Sequence, residues 1–451
     1  MVAAAARLSR RWTASGWARW LTVWTLAGLV IRVATVIGRP HRTAGGDAFY
    51  YHAAANLLAA GKGWVNPVLY PHQTVPTAAF PPGFVVILAA ASLVGLKSYF
   101  AQRLWACVVG SAAIAVCGLA GRRIGGPRVG LITAFVVAVY PNIWMSDEIG
   151  MSETVTPLVV GLVLLAAYRF WEAPSWRRAG WLGLAEGVAA LCRDELALLG
   201  IFVIVPMTLI ARQPTWRARL VALGVATAAA LLVVGPWVGY NMSRFRDPVF
   251  ISTGLGPTLA STNCAALYSG RSEGYWSHDC AVADLGPPTT DESVASAQLE
   301  SNALKYIRAH ENRLVAVNAA RIGRAFGLFH PFSQIRLDSS IETRPLHWAL
   351  VGLWSFWGLS LLSVGGLVIL RRRKVPVFPL LGVGLTVVVS VMLSFGDTRY
   401  RTPFEVSVAI LASVSAERVW AAVVPRRPPA GGPGPSGEVP EVILSASGHS
   451  R

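Results

Sequence analysis

Charge is scarce in this sequence. Asp, Glu, Lys and Arg make up 14% of its 451 residues, 54% are hydrophobic, and mean hydropathy is +0.50. About a quarter of the residues of a soluble domain are charged, so a soluble fold is excluded and lipid must be part of the solvent. Lysine is almost missing, with four against 36 arginines. Together with abundant Ala, Gly, Val and Pro, that bias hints at a high-GC bacterial genome. The chain has no Gly-rich nucleotide loop, no Walker motif and no serine nucleophile elbow, and its histidines show no zinc-ligand spacing. Nucleotide-fuelled work is therefore not expected. There is no internal repeat, and the two halves lack the matched broken helices of many secondary transporters.

What is present is a series of apolar runs, at about 20–38, 81–96, 99–121, 128–146, 154–171, 180–192, 196–211, 220–240, 346–370, 375–395 and 403–424. A spanning helix needs about 20 apolar residues, and short loops rich in Arg and Lys stay in the cytoplasm. If all eleven runs crossed, Arg122/Arg123/Arg128, Arg169/Arg177/Arg178, Arg212/Arg217/Arg219 and Arg371 to Lys374 would all lie outside. Removing the run at 81–96, which opens with Pro81-Pro82-Gly83, returns every cluster and both termini to the cytoplasm. The expected fold is an all-α polytopic membrane protein, a bundle of about ten transmembrane helices with interfacial helices in its first extracytoplasmic loop. The first run, preceded by Arg7, Arg10, Arg11 and Arg19 with no clean cleavage site, reads as a retained helix.

The expected organisation is a cytoplasmic N-terminus (1–19) and an N-terminal transmembrane catalytic module (20–240) with extracytoplasmic loop 39–98. An extracytoplasmic segment (241–345), C-terminal transmembrane helices (346–424) and a disordered cytoplasmic tail (425–451) follow. The formal charge of +17 sits in short clusters between apolar runs, which excludes a nucleic-acid face. Cys264 and Cys280 fall in the large external segment, where an oxidising compartment favours a disulfide that stabilises so short a loop by ~3 kcal/mol. Between about 293 and 329 the pattern is amphipathic. It suits helices resting on an anionic leaflet and equally helices packed on the rest of the loop.

With this topology, 17 of the 23 carboxylates face outside. Four clusters stand out. Asp47 follows Gly45-Gly46 and precedes Tyr50, Tyr51 and His52. It fits a helix N-cap, and equally an acid that takes a proton from a hydroxyl while the rings pack on a sugar. Asp147, Glu148 and Glu153 crowd one short connection, where acids near lipid need a cation, a metal, a proton or water. Cys192-Arg193-Asp194-Glu195 lies at the tip of an apolar hairpin. Asp397-Thr398-Arg399-Tyr400-Arg401 precedes the last run, and its guanidinium groups suit either phosphate binding or interfacial anchoring.

The order of these pieces resembles the C-type glycosyltransferases (GT-C), in particular the group of protein O-mannosyltransferases and the lipid A aminoarabinose transferase. The resemblance runs over about residues 17–425. It is carried by Asp47, Phe80-Pro81-Pro82-Gly83, Arg103-Leu104, Gly121-Arg122-Arg123, Tyr140-Pro141, Ser152-Glu153-Thr154, Gly183-Leu184-Ala185 through Arg193, Gly235-Pro236-Trp237 through Asn241, and Arg399-Tyr400-Arg401-Thr402-Pro403. It implies inverting transfer of a sugar from a polyprenyl-phosphate carrier to an extracytoplasmic cell-envelope acceptor, at a bacterial plasma membrane. Asp47 would be the general base. Glu153, with Asp147 or Glu148, would hold a divalent cation or position the substrates. Tyr50 and His52 would line the site, and Arg193, Arg399 and Arg401 would stabilise the departing phosphate. The first loop has Gly-Gly-Asp-Ala in place of the Asp-Glu pair of the protein O-mannosyltransferases, so a glycan or lipid acceptor is expected before a protein. Two other classes remain: a transporter or flippase of lipid-linked saccharides, needing acids at the midplane (Glu186, Glu405), and a noncatalytic scaffold, whose external acids need not converge.

Overall fold

The computed structural model describes residues 14–283 and 289–423. The expected tail at 425–451, and most of the expected cytoplasmic N-terminus, lie outside the described residues.

Eighteen α-helices form the described structure, which has no strand beyond an isolated antiparallel bridge between Val65 and Pro76. The first half contains α1 (Ala14–Ile37), α2 (Gly46–Ala59), α3 (Pro82–Leu93), α4 (Tyr99–Gly125), α5 (Pro127–Val139), α6 (Pro141–Ile149), α7 (Thr156–Glu172) and α8 (Trp176–Cys192). Then come a 3-10 turn (Asp194–Ala197), a π turn (Gly200–Ile204), α9 (Val205–Ile210) and α10 (Trp216–Met242). The external segment folds as α11 (Leu255–Ala260), α12 (His278–Ala283), α13 (Glu292–Ala309), α14 (Leu314–Ala325) and α15 (Pro331–Ile341). The chain ends in α16 (Leu346–Arg372), α17 (Phe378–Leu393) and α18 (Thr402–Val423).

Sequence punctuation explains many of the helix starts. Ser98, Ser175 and Thr215 cap α4, α8 and α10 by accepting from the backbone N–H three residues on, the usual way to satisfy an orphan donor. Proline opens α3, α5, α6 and α15, where its missing N–H costs nothing. At Pro141 the same missing donor interrupts an otherwise continuous apolar run, and α5 and α6 meet at a 46° bend.

Among the described residues, six helical stretches are long and apolar enough to cross a membrane: α1, α4, α7 with its preceding turn, α10, α16, and α18 with its preceding turn. The bent α5–α6 pair makes a seventh. The protein is thus a multi-pass membrane protein. At 12 residues α3 is ~18 Å long, short of the ~30 Å hydrocarbon core. The expected span at 196–211 is broken, with a π turn running into α9 around Pro206. The number of crossings, ten by charge parity, is a finer statement than helix length supports.

The bundle core forms where α4 packs on α1, α5 and α7, α8 on α7 and α10, and α16 on α18. At Gly183 the backbones of α8 and α10 come so close that a Cβ would overlap the Ala226 carbonyl oxygen. Small residues permit such approach in lipid, where dispersion must drive helix association. Outside the bundle, Glu292 joins the two external segments, accepting from Asn66 Nδ2 (2.9 Å), Ala78 N (2.9 Å) and Thr253 Oγ1 (3.1 Å). Cys264 and Cys280 are bonded. For α14 the structure decides between the two amphipathic readings. Arg321 and Arg324 are buried, donating to the Met392, Thr262 and Glu273 carbonyls, so this helix packs inward on protein.

Candidate active site

The site is assembled where α2, the Ser152–Thr154 turn, the α8 tip and the Thr398–Arg401 turn approach one another. Asp47 lies in the first turn of α2, and the cap position belongs to Gly45, which makes no side-chain cap bond. The carboxylate is therefore not an N-cap. Its Oδ2 accepts from Arg399 Nη1 at 2.9 Å. Glu153 is buried in the turn after α6, ion-paired with Arg193, and its Oε1 lies 3.9 Å from Arg399 Nε. Arg193 also holds Glu195 at 2.5 Å and lies over the Tyr400 ring. Burial pulls the Arg193 proton affinity down, but Glu153 and Glu195 outweigh it and the net shift is upward.

These groups line one cavity of about 890 Å³. One wall is ionic, with Asp47, Glu153, Arg193 and Arg399. Another is apolar, with Phe80, Leu198, Val249, Phe250 and Leu393. Tyr51, packed edge-on against Phe84, lines it as well. Asp194 faces the cavity, open to solvent at its surface, and accepts from Ser252 Oγ at 2.5 Å. Burial pushes its carboxyl up to about 7, against the lowering effect of the Ser252 hydrogen bond.

Of the residues expected to act on or bind substrate, Asp47, Glu153, Arg193 and Arg399 come together here, whereas Tyr50, His52, Asp147, Glu148 and Arg401 do not line the cavity. Tyr50 is buried behind Phe80 with its hydroxyl 2.8 Å from Thr77 Oγ1. His52 bonds Gln102. Asp147 is sealed inside the bundle on Arg32, 2.7 Å away, and Glu148 pairs with Arg42 at 2.8 Å, with Arg39 and Arg103 nearby. Arg401 is buried under Phe356 and pairs with Glu405 at 2.7 Å. The acids of the 147–153 segment thus have separate arginines. Among the described residues no three His, Cys, Asp or Glu side chains gather as a metal site, so Glu153 and Asp147 do not fit a shared divalent cation.

One participant escaped the sequence reading. Glu342, in the segment after α15, places its Oε1 3.4 Å from Arg399 Nε and pairs with Arg344. Burial, with Asp397 adding to it and Arg344 opposing, raises its carboxyl to about 7. The signal was an acid two residues from an arginine just ahead of an apolar run, the pattern that marked Arg193 and Arg399.

Residues 79–240 match a family model described as dolichyl-phosphate-mannose-protein mannosyltransferase. Among solved structures, the oligosaccharyltransferase of Archaeoglobus fulgidus in complex with Zn and sulfate aligns with TM-score 0.54 and 15% identity, over 89% of this chain and 49% of that one. Its apo form aligns with TM-score 0.51 and 15% identity, over 88% and 51%. This chain spans about half the length of the oligosaccharyltransferase it resembles. ArnT of Cupriavidus metallidurans bound to undecaprenyl phosphate aligns at 15% identity over 91% of this chain and 79% of that one, with TM-score 0.45. No curated protein sequence matches the chain. The fold is that of the membrane C-type glycosyltransferases, as the order of sequence landmarks implied.

Proposed function

We propose that the protein is a glycosyltransferase that moves a sugar from a polyprenyl-phosphate donor to a cell-envelope acceptor at the extracytoplasmic face of a bacterial plasma membrane. The observation that carries this reading is the single cavity joining Asp47, Glu153, Arg193 and Arg399 to an apolar wall. A lipid phosphate needs that combination, with guanidinium donors for the oxyanion and hydrocarbon contact for the chain. The match to a mannosyltransferase family model over 79–240 supports a lipid-linked donor.

In this mechanism the apolar wall orients the carrier while Arg399 and Arg193 meet the phosphate. Arg399 Nε is buried without a hydrogen-bond partner, a donor free for an incoming oxygen. Charge grows on that phosphate as the glycosidic bond breaks, so fixed guanidinium groups lower the barrier. Asp47 accepts the proton of the attacking hydroxyl from the opposite side, which gives inversion. Glu153 holds Arg193 in place. Convergence of Asp47 and Glu153 on one guanidinium argues against a scaffold, whose acids need not meet.

Purified protein incubated with a panel of polyprenyl-phosphate sugars should consume one of them, with mass spectrometry detecting the freed carrier. Asp47→Asn should lower turnover by about 10²–10⁴-fold, the range of general-base catalysis, with an unchanged melting temperature. Wild-type turnover by that variant would remove Asp47 from the mechanism.

A further inference from the structure

Arg399 is the most contested side chain of the cavity. Its side-chain hydrogen bond goes to Asp47, from Nη1 at 2.9 Å. Its Nε points between Glu342 (3.4 Å) and Glu153 (3.9 Å) without bonding either. The guanidinium occupies the Asp47 oxygen that an incoming proton would need. Asp47 as base and Arg399 as phosphate ligand therefore require Arg399 to leave the first for the second.

We propose that Glu342 is a positioning residue that competes with Asp47 for Arg399 and sets how readily the guanidinium passes to the donor phosphate. The inference rests on the glycosyltransferase reading of the site.

Glu342 is anchored for such a role. Its side chain pairs with Arg344. Its carbonyl accepts from Arg42 Nη2 at 2.8 Å, and Arg42 Nη1 is fixed on Glu148 at 2.8 Å. The turn that carries Arg399 is fixed too, since Asp397 Oδ1 accepts from Arg399 N at 3.0 Å and Asp338 Oδ2 accepts from Thr398 Oγ1 at 2.5 Å. Only the guanidinium end is left to move. The charged groups acting on Glu342 are Arg344, Asp397, Arg399 and Glu153, with Asp338 beyond. Burial lifts the Glu342 carboxyl to about 7, so its pull on Arg399 is weak in mild acid and full above neutrality.

The consequence is a competition. Ionised Glu342 draws Arg399 from Asp47, which frees the base, but it also competes with phosphate for the guanidinium. Removing its charge should tighten phosphate binding and leave Asp47 more firmly masked.

The test is the affinity of the purified full-length protein for undecaprenyl phosphate at pH 5.5 and pH 8, in wild type and Glu342→Gln. The second ionisation of the phosphate is common to both proteins, so only their ratio matters. The Kd ratio of wild type to variant should be near one at pH 5.5 and rise to about tenfold at pH 8, the effect of one pK unit of interaction. The kcat of the variant should fall while its donor KM falls as well. Glu342→Asp, which keeps the charge but retracts it by one methylene, should give an intermediate ratio and serves if the Gln variant does not fold. A ratio that stays constant with pH, or a kcat loss with unchanged KM, overturns the proposal. Wild type that binds no undecaprenyl phosphate and consumes no lipid-linked sugar defeats the glycosyltransferase reading itself. Normal wild-type activity matched by both variants defeats only the role of Glu342.

Discussion

Single side chains in this protein are decided by which arginine each acid finds. Asp47, Glu153, Arg193 and Arg399 were legible because each is a charge at the end of an apolar run, where lipid forbids an idle one. Asp147 and Glu148 carried the same signal but lie outside the cavity lining, paired with Arg32 and Arg42, which sit more than 100 residues earlier and meet them only through packing. Asp194 is different, with a hydroxyl as partner and no arginine hydrogen-bonded to it. Its carboxyl is raised from about 4 when unfolded to about 7 when folded. The folded state thus holds a proton that the unfolded chain has lost between those values, and stability declines as pH climbs through that window. Asp194→Asn should remove the decline. Its melting temperature relative to wild type should rise between pH 4.5 and pH 8, by an amount on the order of 1 kcal/mol given the water in the cavity. A pH-independent difference in thermal unfolding would show that Asp194 is ordinarily solvated.

At the level of helices, starts and lengths were more legible in the sequence than breaks. Prolines and capping hydroxyls mark the beginnings, and α3 is as short as its run suggested. The 196–211 run offered only Gly200 and Pro206 as warnings, and which of two weak breakers interrupts a helix depends on the neighbour it must pack against. Helix contacts are equally hidden from composition. At Gly110 in α4 a Cβ would overlap the Asp147 carboxylate, so this glycine is the space in which α6 delivers its acid to Arg32. Gly110→Ala should drive the two apart and cost about 3–5 kcal/mol, the range for breaking a buried ion pair. Detergent-solubilised protein should show a large fall in melting temperature, and an unchanged value would mean that α6 shifts freely.

For the molecule as a whole, the expectation of one-sided chemistry rests on α3 not crossing. The scarcity of lysine turns this into a simple measurement. Lys62, Lys97, Lys305 and Lys374 are all exposed. Parity places the first three outside and Lys374 inside. A membrane-impermeant amine reagent applied to intact cells should modify Lys62, Lys97 and Lys305 and spare Lys374. Opposite labelling of Lys62 and Lys97 would mean that α3 spans and that Asp47 is parted from the rest of its site. The pair between Arg32 and Asp147 has a further consequence, in time. The two are separated by 115 residues, so at about 5–20 residues per second the ribosome takes roughly 6–23 s to supply the counterion of a guanidinium already committed to the first helix. During that interval Arg32 is without the acid that pairs with it in the folded bundle, so the packing of α1 is finished only after α6 has been made.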